Sequence, residues 1–436
     1  MSKQVYLRYA APSLGGVAAT LNMSGETVTG GGSVCPAAGT IDKLTIDIKT
    51  VVSGTGTPTK TFTLAVNGTP SALTGTIAAG ASTVVCTGGP ITVAAGDLLT
   101  IAYTIHGTPN VSSIISVSWI FNSNTANESI YLMGPGLYNT TTPGYIGLFG
   151  VGVTRTTTAS IGLTVAAAAG VITKLYIGVI AAAGTTGGYN FTIKKNGTLQ
   201  DGSGGTPNTV INYTCSISAT VASSSFSLTV APGDILQVQI DSISSPSNKT
   251  IYISNNFIST NAGESQMVWN NGAPPSANGG STNFNTISND FSNPTWDTED
   301  NRKLLLADKF NAYGLQVILL SAPGVGTSRT FETRKNSGSG VNALTISGTS
   351  TTGSDLVHTD RYAAGDYFAW YESATSGSPA SNGMRVALIQ STAAGNPPGK
   401  SQGGSKKSGG GATNSSVPGG TQVQTIGNAG VSSVSS

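Results

Sequence analysis

Phe62-Thr63-Leu64-Ala65-Val66-Asn67-Gly68, Phe191-Thr192-Ile193-Lys194-Lys195-Asn196-Gly197 and Phe331-Glu332-Thr333-Arg334-Lys335-Asn336-Ser337-Gly338 are three versions of one phrase. Each is an aromatic-led strand that runs into a tight turn. Asn-Gly between two such runs predicts a type I′ hairpin, because both central residues must take positive φ. Upstream of each phrase lies a strand with the same period of two: Leu44/Ile46/Ile48, Leu175/Ile177/Val179 and Leu315/Val317/Leu319. Downstream lies a Gly-Asp turn: Ala94-Ala95-Gly96-Asp97, Ala231-Pro232-Gly233-Asp234 and Ala363-Ala364-Gly365-Asp366. It launches another alternating run, at Leu99/Ile101/Tyr103, Leu236/Val238/Ile240 and Phe368/Trp370, before a closing strand.

The landmarks keep one order and nearly one spacing. Asn67 to Asn196 is 129 residues and Asn196 to Asn336 is 140, while Asp97 to Asp234 is 137 and Asp234 to Asp366 is 132. Such self-similarity marks a tandem array. Period-two alternation without a 3.6-residue stripe makes the chain all-β, and this module length suits a two-sheet sandwich. The expected architecture is three tandem jelly-roll-like (Greek-key) β-sandwich domains plus an extended C-terminal tail. Boundaries fall at 1–124, 125–260 and 261–392, with a polar insert at about 270–308 in the third repeat and a Gly/Ser-rich tail at 393–436. Glu128-Ser129 and Glu264-Ser265 open the second and third repeats, followed by Ile130-Tyr131-Leu132 and Met267-Val268-Trp269, much as Val5-Tyr6-Leu7 opens the first. With almost no linker, neighbouring domains are expected to touch and form a stiff rod. The tail cannot bury enough apolar surface to order itself and is expected to be flexible in solution.

Composition narrows the function classes. Of 436 residues only 9% are Asp, Glu, Lys or Arg, against about 25% in ordinary soluble domains, so the surface must rest on Gly, Ser, Thr and Asn. A net charge of +2 provides no field to attract nucleic acid or an anionic membrane. The apolar stretch 161–183 is interrupted by Lys174, Tyr176 and several glycines, and fits strands better than a membrane span. The N-terminus lacks the apolar core of a secretory signal.

Chemistry-bearing residues are sparse, and no enzyme is expected. His106 and His358 lie in different repeats without a matching ligand pattern. Cys35, Cys86 and Cys215 have neither disulfide-framework nor metal spacing, although a Cys35–Cys86 bridge stays open. The recurring Asp97, Asp234 and Asp366 read as turn residues whose carboxylates bind their own backbone. Asp297, Glu299 and Asp300 are a weak Ca²⁺ candidate, since hard cations want several carboxylate oxygens; a solvated acidic loop is the plainer reading. No catalytic constellation, phosphate loop or cofactor motif is present. Trp269, Trp296, Tyr138 and Tyr145 are candidates for contact with a partner or glycan, with half-buried staples under loops as the alternative. Lys400, Lys406 and Lys407 mark the tail as a candidate anchor.

The Phe-Thr-Leu/Ile…Asn-Gly-Thr hairpin, the Ala-Ala/Pro-Gly-Asp strand starter and the uncharged surface together resemble the tandem β-sandwich repeats of tailed-bacteriophage virion proteins. The resemblance covers about residues 1–392. It implies a non-enzymatic structural subunit of capsid decoration or head-fibre type, found in the virion and made in the host cytoplasm. It also implies homo-oligomers, usually trimers, contacting other virion proteins. The alternatives are a receptor-binding tail fibre or spike contacting host surface glycan, and a secreted bacterial adhesin or carbohydrate-binding protein.

Overall fold

The computed structural model describes residues 2–402 outside the segments 11–13, 15–16, 24–31, 112–114, 133–135, 139–143, 150–162, 181–187, 201–210, 215–219, 244–248, 271–282, 286–297, 376–383 and 393–400. Among the described residues the structure is all-β, with a single four-residue helix. The first repeat contains β1 (Ser2–Ala10), β2 (Ala19–Asn22), β3 (Ser33–Val34), β4 (Gly39–Ile48), β5 (Gly54–Val66), β6 (Thr69–Ile77), β7 (Thr83–Cys86), β8 (Ile91–Val93), β9 (Leu98–Pro109) and β10 (Ile115–Ser123). The second contains β11 (Glu128–Leu132), β12 (Gly136–Tyr138), β13 (Gly144–Gly147), β14 (Thr164–Val165), β15 (Gly170–Ile180), β16 (Gly188–Lys195), β17 (Thr198–Gln200), β18 (Ile211–Thr214), β19 (Thr220–Val230), β20 (Ile235–Ile243) and β21 (Lys249–Ser259). The third contains β22 (Glu264–Asn270), β23 (Asn283–Asn285), α1 (Glu299–Arg302), β24 (Leu304–Leu305), β25 (Phe310–Leu319), β26 (Gly324–Lys335), β27 (Gly338–Gly348), β28 (Thr352–Tyr362), β29 (Tyr367–Ala374) and β30 (Met384–Ser391), and β31 (Ser401–Gln402) follows.

These strands form six sheets, none closed into a barrel. One sheet of each repeat runs β1-β10-β4-β7, β11-β21-β15-β19 or β22-β30-β25-β28; its companion runs β2-β9-β5-β6, β13-β20-β16-β17 or β23-β29-β26-β27. The same strand order therefore recurs three times. The pairing is antiparallel except where β31 lies parallel to β28. Each pair of sheets shares one apolar cluster, and the sequence landmarks lie inside it. Leu44, Ile46 and Phe62 belong to the first cluster, Leu175, Ile177 and Phe191 to the second, and Leu315, Val317 and Phe331 to the third.

Burial separates the two sheets of a pair. Along β5, after an exposed start, buried and half-buried residues alternate, as expected of a sheet with one wetter face. Along β10, β11 and β30 almost every residue is buried, including the consecutive Trp119, Ile120 and Phe121. A strand loses its alternation when both faces are covered, and here the second cover is the next repeat.

The repeats do not form the expected rod. β3 packs on β15 and β21 of the second repeat, β14 on β22 and β30 of the third, and β24 on β4 and β10 of the first. Equivalent elements make equivalent contacts all the way round, so residues 1–403 close into one compact three-membered ring. The apolar clusters explain the closure. The first takes in Ile130 and Leu132 from the second repeat, the second takes in Val268 and Ala387 from the third, and the third takes in Val5 and Leu7 from the first. Fully burying each large aliphatic side chain is worth about 2 kcal/mol. An open rod would leave the sockets at its two ends unfilled.

The hairpin turns take the expected backbone. Asn67 and Gly68 have φ of 53° and 80°, and Asn196 and Gly197 have 51° and 82°. In the third repeat these positions are Asn336 and Ser337, at 49° and 64°, and the exposed serine side chain gains nothing from that conformation. Ser337→Gly should therefore stabilise the protein by about 1 kcal/mol in denaturant titration; an unchanged midpoint would contradict this account of the turn.

Much of the charge in the third repeat is turned inward. Arg302, Arg329, Asp355, Asp360, Glu372 and Arg385 are all buried. Asp360 accepts the N–H groups of Val341 (2.7 Å) and Asn342 (3.1 Å), satisfying backbone that the sheets leave unpaired. Beyond the third repeat, Ser401 and Gln402 pair with His358 and Thr359 at the edge of β28.

Candidate functional site

The two strongest sequence landmarks are halves of one clasp. The hairpin asparagine donates its N–H across to the strand after the Gly-Asp turn, from Asn67 to Leu98 O (2.8 Å), Asn196 to Ile235 O (2.8 Å) and Asn336 to Tyr367 O (3.0 Å). Its side-chain oxygen accepts the N–H of the same Leu98, Ile235 or Tyr367. Its Nδ2 donates to Asp97, Asp234 or Asp366 at 2.8, 2.8 and 2.7 Å. The other carboxylate oxygen accepts the N–H of Ala94, Ala231 or Ala363, three residues back. The turn reading of the aspartates is thus correct, with a distant partner that linear sequence did not reveal.

A lysine reinforces two of the clasps. Lys195 lies 3.1 Å from Asp234 and Lys335 lies 2.9 Å from Asp366, whereas the first repeat has Val66 at this position. Partial burial alone would raise the pKa of both aspartates, but the alanine N–H, the asparagine amide and the lysine outweigh it and hold both below the ordinary value. A depressed pKa contributes stability that is present above the unfolded value and lost as pH falls through the folded one. Asp234→Asn should therefore cost about 2 kcal/mol at neutral pH, with the gap from wild type closing below ~pH 3. Thermal melts across that range check it, and an equal gap at both ends would contradict the carboxylate's role.

The surfaces between repeats are the other constructed region. Gln4 brackets the Ile130 peptide, its amide donating to Ile130 O (3.1 Å) and its oxygen accepting Ile130 N–H (2.9 Å). The Tyr6 hydroxyl likewise accepts Leu132 N–H (2.8 Å) and donates to Leu132 O (2.7 Å). Between the second and third repeats, Gln266 accepts Ala167 N–H (2.6 Å), and Tyr131 Oη accepts Gln266 N–H (2.8 Å). Between the third and first, Ser118 accepts Ala307 N–H (2.9 Å), Lys49 donates to Lys303 O (2.9 Å), and Lys3 pairs with Asp308. Polar side chains thus satisfy the backbone of the neighbouring repeat wherever apolar packing stops. Gln4, Tyr6 and Gln266 were missed from sequence; the available signal was the unalternating Val5-Tyr6-Leu7 and Ile130-Tyr131-Leu132.

The chain matches no protein-family model and no curated protein.

Tyr138 ends β12 and Tyr145 lies on β13, in opposite sheets of the second pair, while Trp269 lies on β22 in the third. Tyr145 is half-buried with Lys194 Nζ 5.3 Å from its ring centre, a staple-like arrangement. Trp296, Asp297, Lys400, Lys406, Lys407 and Cys215 lie outside the described residues. The acidic candidates separate, since Glu299 pairs with Arg334 (3.2 Å) and Asp300 with Lys303 (2.6 Å). Among the described residues no three His, Cys, Asp or Glu side chains gather as metal ligands. The exposed His106 ring meets Thr57 O (3.3 Å). His358 has a partner that sequence reading missed, Asp355 at 2.9 Å, brought close where β28 bulges. Cys35 and Cys86 are free, buried thiols of the first core, and burial pushes both up to about 12.

Proposed function

We propose that the protein is a non-enzymatic structural subunit of a tailed-bacteriophage virion, of capsid decoration or head-fibre type, built from three jelly-roll-like sandwiches in one chain. Counting only the eight strands on the two main sheet paths of a repeat, the strand orders are 1-8-3-6 and 2-7-4-5, the arrangement of two interlocked Greek keys, and this supports the jelly-roll reading of each sheet pair. The observation that carries the functional reading is the ring itself. Three equivalent lobes locked by buried apolar side chains form a rigid block, and a surface short of long charged side chains loses little entropy when packed permanently against neighbours.

The ring supplies inside one chain the threefold packing that the resemblance attaches to trimers. We therefore expect a 43.8 kDa monomer in dilute solution that multimerises on the particle. The segment beyond Gln402 is the proposed anchor, because β31 ties its start to the edge of β28. Deleting the gene from the parent phage and analysing purified particles tests the reading. Wild-type particles should carry the protein at a fixed copy number, and truncation after Gly403 should leave the ring folded but absent from particles. Its absence from wild-type particles, or strong glycan-array binding by the full chain, would replace this reading with an adhesin or receptor-binding one.

A further inference from the structure

Where residues of all three repeats meet lies a cavity of about 30 Å³, lined by Arg8, Gln266 and Gln390 together with Tyr6, Tyr131 and Met267. That volume holds one or two water-sized species. Arg8 is 4% exposed, and its Nη2 donates to the Tyr6 hydroxyl and to Leu132 O (2.7 Å), both neutral. No carboxylate among the described residues pairs with it, and its Nε has no protein partner there. A buried guanidinium without a counter-charge costs several kcal/mol.

Gln4 also lines the cavity, with both ends of its amide engaged by the Ile130 peptide, while the two remaining glutamines present donors. Gln266 has its oxygen fixed by the Ala167 N–H at 2.6 Å and the Ala168 N–H at 3.4 Å, so its NH₂ is the free end, and that nitrogen has no partner among the described residues. Gln390, 1% exposed, has neither amide atom partnered there, so its NH₂ is free to turn into the cavity. The remaining lining includes Val5, Leu7 and Val268, which offer side-chain hydrocarbon and no competing acceptor.

We propose that this cavity binds a small monatomic anion of the chloride class, held by Arg8 Nε–H and the Gln266 and Gln390 amides. Water would satisfy the hydrogen bonds and leave the guanidinium unneutralised; a halide does both. Arg8 comes from the first repeat and the glutamines from the third, while the second supplies Tyr131 and the Leu132 carbonyl. The site exists only in the closed ring, so the anion stabilises closure by mass action.

Two measurements on the full chain test this. Crystals soaked in sodium bromide should show an anomalous peak in the cavity. In solution, the melting temperature should rise saturably, by about 2 °C, when gluconate is replaced by chloride at constant ionic strength. Arg8→Met should abolish that increment and Gln390→Met should reduce it. Cavity density without anomalous signal would mean water and overturn the proposal, with no variant needed. A bromide peak without any chloride-dependent rise would mark an adventitious ion only and would equally overturn it. Both readouts are independent of whether the protein belongs to a virion.

Discussion

Trp119→Ala is expected to lower the protein's stability by about 4 kcal/mol. Trp119 is 0% exposed and belongs to the first apolar cluster, and its ring centre lies 4.3 Å from that of Tyr6. Truncation leaves a cavity that flanking strands cannot fill, because β10 is held on one side by β1 and on the other by β4. It also removes the surface against which Tyr6 is braced, and Tyr6 is the residue whose hydroxyl closes on Leu132 of the next repeat. Trp119→Phe should cost far less, because it keeps most of the ring contact and deletes an indole N–H that has no partner among the described residues. Denaturant unfolding of both variants checks the pair. A loss below about 1 kcal/mol for the alanine variant would mean that β10 is not the packed centre of the first repeat.

Arg329→Met is expected to cost about 3–5 kcal/mol at pH 8. Arg329 and Glu372 form an ion pair across β26 and β29, with both side chains essentially inaccessible to water. Losing the arginine strands a buried carboxylate. Burial already raises the pKa of Glu372 above its ordinary value, and Arg329 is what pulls it back down. For an acid whose folded pKa is raised, the associated stability is fully present below the unfolded pKa and is lost as pH rises through the folded one. Removing Arg329 moves the folded pKa higher and widens that window. The variant should therefore approach wild-type stability toward pH 4 and fall away as pH increases. Melting curves from pH 4 to pH 8 provide the check, and a pH-independent deficit would show that lost packing rather than the stranded charge sets the cost.

The strands and their repetition were legible because period-two alternation and turn chemistry are local. Phe62, Phe191 and Phe331 each lead a strand that the sequence marks, and the structure buries all three. The clasp was half legible: Asn67 and Asp97 each announced a turn, but a hydrogen bond between turns 30 residues apart leaves no local trace. Ring closure was the least legible. It depends on which faces of β1, β11 and β22 are covered, and a strand buried on both sides looks in sequence like any short apolar run. The same blindness explains the buried charges of the third repeat. Nothing local in sequence links Arg329 to Glu372, which the fold sets opposite each other. Arg8, Gln266 and Gln390 share no motif, and only closure brings them to one cavity.

Ring closure rests on contact between the first and third repeats, which adjacency along the chain does not require. The most direct test is zero-length carbodiimide coupling of the full chain, followed by isolation of the monomeric fraction and mass spectrometry of its peptides. The ring predicts an amide between Lys3 and Asp308, which form an ion pair across that interface. Failure to find that link in the monomer, with local links such as Lys303 to Asp300 formed normally, would contradict the ring and restore the linear array.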